Sequence, residues 1–163
     1  MPIETIPVRK ATPADEPELL ELCRSLHEEN AMFNMDESKV KDMLARAFDG
    51  RGAVIGAIGP TGKIEGAIYM LISQFWYTQQ WCLEELFSYV RPEYRRSDNA
   101  KSLIAFGKRC AVELNIPLVI GVVSNIRTKA KVGLYARQLS EPVGAYFAYN
   151  FTKAPQSLEN SSA

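Results

Sequence analysis

Between positions 91 and 109 the chain places six cations (Arg91, Arg95, Arg96, Lys101, Lys108 and Arg109) against two carboxylates, Glu93 and Asp98. The local charge is +4 in a chain whose formal net charge is zero. Three of these arginines lie in a polar loop over 91–98. Behind it, Leu103, Ile104, Phe106, Gly107, Cys110, Ala111 and Leu114 recur at helical spacing. The start of a helix leaves backbone N–H groups without intrahelical acceptors and carries the positive end of the helix dipole. Guanidinium groups beside such an end form an anion cradle suited to a diphosphate. The plainer alternative is a solvated loop with surface arginines.

The elements that must position this cluster follow from pattern. A short strand is expected over 6–11. Thr12 and Pro13 then open a helix marked by Leu19, Leu20, Cys23 and Leu26, and a second helix spans 38–48. Apolar runs over 53–58 and 64–72, joined through Gly59-Pro60-Thr61-Gly62-Lys63, read as a hairpin. An aromatic and amide-rich connection leads to a strand over 81–90. The spacing predicts a helix over 99–114, a buried strand over 117–123, a helix over 126–139 and a closing strand or strand pair over 143–151. The order β-α-α-β-β-β-α-β-α-β predicts an α/β (α+β) sandwich.

Composition narrows the function classes. A length of 163 residues suggests one domain over 1–151 with a polar tail over 152–163. Zero net charge argues against a nucleic-acid partner. Three cysteines (Cys23, Cys82 and Cys110) without paired spacing fit neither a disulfide framework nor a zinc site; they read as thiols in a reducing compartment. The first residues lack a signal-peptide pattern, and no apolar run is long enough to cross a bilayer. A cytoplasmic protein without a membrane partner is the expectation.

The stretch Val90-Arg91-Pro92-Glu93-Tyr94-Arg95-Arg96-Ser97-Asp98-Asn99-Ala100 resembles the acetyl-CoA pyrophosphate loop of the GNAT superfamily of N-acetyltransferases. That signature is Gln/Arg-x-x-Gly-x-Gly/Ala behind a Val-x-Pro-x-Tyr/Trp lead. Arg95 and Ala100 match its ends; Val90, Pro92 and Tyr94 match the lead. Asn125 and the pair Leu134-Tyr135 resemble the family's asparagine and Leu-Tyr pair, and the element order agrees over about residues 6–151. The resemblance implies a mixed central sheet of about six to seven strands with about four helices on both faces. It also implies acetyl-CoA as cosubstrate, held by Val90, Arg95, Arg96, Ser97, Asp98, Asn99, Ala100, Lys101 and Asn125. Asp98 departs from the family pattern, since it stands where the signature has its central glycine. Either its carboxylate turns away, with Ser97 and Asp98 capping the helix, or the site is degraded and the scaffold is a non-catalytic acyl-CoA-binding or interaction module.

The resemblance also assigns roles. Glu84 is similar in position to the glutamate that some members use as base, although Glu85 or water is open to that part. Alternating strand residues face opposite sides, so only one of Glu84 and Glu85 can face a thioester. Tyr135 is similar to the tyrosine that protonates the departing sulfur; a phenol with a pKa near 10 keeps its proton at neutral pH. Backbone N–H groups near 86–90 would polarise the carbonyl. The acceptor is an amine on a small molecule or a protein. Glu28, Glu29, Asp36 and Glu37 favour a cationic acceptor or form a solvated face. His27, the only histidine, reads as structural. Phe75, Trp76, Tyr77 and Trp81 fit an acceptor wall or the interface of a homodimer.

Overall fold

A computed structural model describes residues 7–124 and 126–150. They fall into two compact units: 7–25 with 36–121, and 26–35 with 122–150. The first carries a five-stranded sheet in the order β1-β2-β3-β4-β5. Its strands are β1 (Arg9–Lys10), β2 (Ala53–Ile58), β3 (Gly66–Ser73), β4 (Cys82–Val90) and β5 (Leu118–Val119). The first three pairings are antiparallel and β4 with β5 is parallel, so the sheet is mixed. The helices are α1 (Glu16–Asn30), α2 (Glu37–Phe48), α3 (Asn99–Leu114) and α4 (Thr128–Gln138).

Side chains alternate across β3, and the two faces take different partners. Ile68 and Met70 join Leu83, Leu103 and Phe106 in the core beneath α3. Tyr69, between them, donates from its hydroxyl to the Met43 carbonyl of α2 at 2.9 Å. Helices therefore cover both faces. Each fully buried Leu or Ile in this core contributes roughly 1.5–3 kcal/mol. Gly56 lets α3 approach β2, because a Cβ there would lie 2.6 Å from the Phe106 ring. The last turn of α3 closes on Asn115 in the left-handed conformation, with the Ile116 amide donating to Ala111 O.

The strand count is five among the described residues, below the expected six to seven, for two reasons. The strand expected over 117–123 shortens to Leu118–Val119. Continuing its ladder would require pairing beside Glu85 and Leu86, where β4 is irregular; there the Gly121 amide meets the Glu85 carboxylate instead. The closing strand expected over 143–151 does not form over 143–150, and residue 151 lies outside the described residues. A strand needs a ladder partner, and Pro142 offers no N–H to one. Side chains there are strongly exposed, Val143 at 96% and Phe147 at 95%.

Asp15 ties the start of the chain to the β2–β3 hairpin. Its buried carboxylate accepts both arms of the Arg9 guanidinium at 2.8 and 2.7 Å, the Thr12 amide at 2.8 Å and the Thr61 hydroxyl at 3.0 Å. Arg9 Nε donates to Gly59 O at 3.0 Å. The Arg9 bonds hold the Asp15 carboxyl far below the usual carboxylate range. A lowered folded pKa means that this stabilisation is complete above the unfolded value near 4 and is lost as pH falls below it. Asp15→Asn should therefore cost roughly 3 kcal/mol at neutral pH, because it leaves Arg9 without its counter-charge. The gap should shrink below pH about 4 in urea titrations followed by circular dichroism.

Candidate functional site

The candidate site is built on β4, the loop behind it and the first turn of α3, all within the first unit. Val90 ends β4, a 3₁₀ turn spans Pro92–Tyr94, and α3 starts at Asn99. The helix begins here because Asp98 O accepts the Ser102 amide, closing the first turn. The Ser97 hydroxyl accepts the Asn99 amide at 3.2 Å and donates to Tyr94 O. Ser97 therefore caps through its hydroxyl. Asp98 makes no capping bond with its side chain, contrary to the arrangement expected for it; it pairs with Lys101 Nζ at 3.1 Å and is exposed. The physical reason lies in the backbone. With φ −86° and ψ 11°, Asp98 lacks the extended geometry that lets a cap side chain fold back over the first amides.

The arginines of this loop also make contacts within the chain. Arg91 Nε donates to Ile64 O at 2.9 Å. Arg95 Nε donates to Val90 O at 2.9 Å, and its guanidinium lies 5.3 Å from the centre of the Tyr89 ring. Arg109 approaches Glu113 at 3.9 Å and stacks over Phe106. Arg96 is exposed and pairs with no carboxylate among the described residues. Asn99 Nδ2 donates to Glu65 Oε2 at 2.9 Å, which brings a further carboxylate to the helix start; the sequence analysis missed Glu65, since nothing local marks it. The amides of Ala100 and Lys101 have no intrahelical acceptor. Two amides, the helix dipole and the loop guanidinium groups, the exposed Arg96 among them, are the groups that fit a diphosphate here. Arg95 Nε also braces the loop through Val90 O.

Upstream, β4 carries a bulge. Tyr69 pairs with Phe87 and Met70 with Glu85, so Leu86 is one residue more than β3 can match. Facing residues in a ladder share a side. Glu85 thus lies on the Met70 side, beneath α3, and Glu84 lies with Leu71 on the Tyr69 side. Glu84 is half-buried. Glu85 is buried, and its nearest polar contact is the Gly121 amide at 3.4 Å. Burial pushes its carboxyl up to about 8; the Gly121 N–H opposes the shift and Glu84 adds to it. The sequence put Glu84 forward and left Glu85 as an alternative; the structure places the two on opposite faces of β4.

In the second unit, Tyr135 lies half-buried on α4. Asn125 lies outside the described residues. The carboxylates at the α1–α2 junction are largely committed. In the first unit Glu37 takes Arg24 at 2.6 Å, and Asp36 caps α2 through the Lys39 amide at 3.1 Å. In the second, Glu29 faces Lys131 at 3.9 Å, and Lys131 also donates to Ser124 Oγ at 2.8 Å. The His27 ring bonds Phe33 O at 2.8 Å, a structural role. Among the described residues no cluster of three His, Cys, Asp or Glu could hold a metal, and no helix is long and apolar enough to cross a membrane.

No family model matches the chain, and no curated protein matches it. Solved structures do. A predicted acetyltransferase with acetyl-CoA from Clostridium acetobutylicum superposes with a TM-score of 0.71 at 17% identity, over 88% of this chain and 94% of that one. A GNAT family acetyltransferase from Staphylococcus aureus gives 0.62 at 16%, over 87% and 96%. An integron cassette protein from the mobile metagenome of Cole Harbour Salt Marsh gives 0.69 at 17%, over 96% and 97%. The chain has the GNAT fold.

The pKa of Glu85 makes a test of its placement. Its folded value of about 8 lies above the ordinary 4.5, so the folded state keeps a proton that the unfolded state releases. Stability should fall as pH rises through that window, by up to about 1.4 kcal/mol per pH unit. Glu85→Gln should flatten this fall in urea midpoints measured from pH about 5 to about 9. An unchanged slope would mean that Glu85 is solvated.

Proposed function

We propose that the chain is an acetyl-CoA-dependent N-acyltransferase that moves an acetyl group to an amine. The observation that carries this reading is the strand-loop-helix turn at the end of β4, where first-turn amides and Arg96 meet on a GNAT scaffold. Its groups match the coenzyme's chemistry: amides and a guanidinium suit a diphosphate, and Lys101 offsets Asp98. When bound, acetyl-CoA supplies an acyl thioester whose C–S bond is exchanged for a C–N bond.

The chain's own residues then have definable tasks. In this reading Val90, Arg95, Ser97 and Asn99 shape the loop, while Arg96, Ala100 and Lys101 face the diphosphate. Backbone N–H groups that the Leu86 bulge takes out of the ladder polarise a carbonyl. Glu84, half-exposed, takes the proton that the amine must lose. Tyr135 gives a proton to the departing sulfur. Glu85 stays neutral at neutral pH and adds no charge beside the thioester.

Isothermal calorimetry with acetyl-CoA, paired with amine-dependent release of free thiol, tests the reading. Arg96→Ala should weaken coenzyme binding about tenfold, and Asp98→Gly should tighten it several-fold by removing a carboxylate from the helix start. Tyr135→Phe should lower kcat about a hundredfold while leaving coenzyme affinity intact. A rate limb near pH 8 that vanishes in Glu85→Gln would move the base from Glu84 to Glu85. Asp98 is also the observation that favours a second reading, a coenzyme-binding module without turnover. Binding without thiol release across an amine panel would select it, and no binding at millimolar acetyl-CoA would end both.

A further inference from the structure

We propose that the hairpin tip joining β3 to β4 is the contact face of a symmetric homodimer, so that the partner it takes is a second copy of this chain. The inference is independent of the acyltransferase reading above. The tip lies before Cys82 and the anion cradle beyond Val90, at opposite ends of β4.

Four large aromatics project from this tip: Phe75 is 50% exposed, Trp76 95%, Tyr77 69% and Trp81 53%. At roughly 150–250 Å² for a whole aromatic residue, their exposed parts come to about 400–650 Å². A specific interface takes about 600 Å² or more from each partner. The Leu83 amide donates to Pro117 O at 2.7 Å, so the last turn of α3 ends beside the start of β4. Val112 and Leu114, both exposed in that turn, add apolar surface at the same end of the sheet. An apolar area of this size on one loop marks an interaction site.

The rings are already ordered. Phe75 stacks on Tyr77 at 6.0 Å between centroids, and Trp76 meets the edge of Tyr77 at 5.6 Å. Backbone and side-chain bonds close the tip beneath them. Gln74 Nε2 donates to Gln79 O at 2.6 Å, and the Gln80 amide donates to the Thr78 hydroxyl at 3.0 Å. A face ordered in advance loses little freedom on association.

Charge narrows the partner. No Lys, Arg, His, Asp or Glu falls between 74 and 83. The Ile72 amide donates to Gly52 O at 2.8 Å, which brings the loop after α2 to this end of the sheet. There Arg51 pairs with Asp49 at 3.1 Å, and Arg46 donates to Arg51 O at 2.8 Å. On the α3 side Arg109 faces Glu113 at 3.9 Å, next in the chain to Lys108, and Glu84 lies half-buried in β4. Four cations stand against three carboxylates, a net charge of +1. An anionic membrane is held by clusters of roughly four to eight cations, and a nucleic acid also needs many, so this end suits neither. A two-fold axis sets one patch against itself. Like charges repel in that arrangement. Aromatic rings meet in offset or edge contacts, and amides pair, because each carries both a donor and an acceptor. The tip offers those self-complementary groups: four rings and the exposed Gln79 and Gln80.

Sedimentation equilibrium of the full chain should show a dimer at about 100 μM. Both tryptophans of the chain, Trp76 and Trp81, are in the tip, so their emission should shift to the red on dilution with the same midpoint. Trp76→Glu should weaken dimerisation about a hundredfold, with the circular dichroism spectrum unchanged, because it sets a charge against its own copy on an exposed side chain. Tyr77→Ala, which keeps both tryptophans, should weaken it about tenfold. A chain that is monomeric at about 100 μM overturns the proposal. So does a dimer whose dissociation constant survives both substitutions, or one whose tryptophan emission stays fixed as it dissociates, since either would place the contact on another face. A monomer that co-sediments with phosphatidylserine vesicles, and loses this in Trp76→Glu, would make the tip a lipid contact instead. No coenzyme enters these measurements, so a failure to bind acetyl-CoA bears on the acyltransferase reading alone.

Discussion

β4 is hydrogen-bonded on both sides, antiparallel to β3 and parallel to β5, and it holds one residue more than β3 can pair. The surplus residue, Leu86, is the constraint on which the rest of the site depends. A bulge reverses which residues share a face across it. Leu83 and Glu85 point beneath α3 on one side of the bulge, and Ser88 and Val90 do so on the other. The same irregularity stops the β5 ladder after Val119, so the two strands part where backbone groups must find other partners. The Gly121 amide finds the Glu85 carboxylate.

Two buried carboxylates show how differently one fold treats the same chemical group. Asp15 is surrounded by donors: a two-armed guanidinium, an amide and a hydroxyl. Its charge is stabilised, and its work is to hold the first strand, the start of α1 and the β2–β3 hairpin together. Among the described residues Glu85 has one distant amide and no cation. Its charge is penalised, and it holds a proton in the middle of the sheet. The first arrangement anchors a scaffold. The second leaves a neutral carboxyl beside a break in the ladder.

The loop beyond β4 illustrates a division of labour among arginines. A guanidinium has five N–H donors and can brace a loop through carbonyl oxygens as readily as it binds an anion. Arg91 and Arg95 each donate Nε to a carbonyl, Ile64 O and Val90 O. Arg96 extends into solvent from the same loop. The helix dipole and the amides of Ala100 and Lys101 stand beside these guanidinium groups.

Much of the scaffold was legible in the chain itself. Periodicity and capping residues delimited α3 as 99–114, and the glycine and proline of the 59–63 loop marked the β2–β3 hairpin, because these signals are local. The motif around Arg95 pointed to the same strand-loop-helix turn. Strand alternation separated Glu84 from Glu85 onto opposite faces, but not which face each would take, because that depends on a bulge seen only when β3 is laid beside β4. The depth of Glu85 and the arrival of Glu65 at Asn99 are decided by residues tens of positions away in the chain. The chain determined which chemical groups were present and their local secondary structure. Tertiary packing decided which of those groups keep their charge and which are free to meet a ligand, since desolvation and hydrogen bonding act through space.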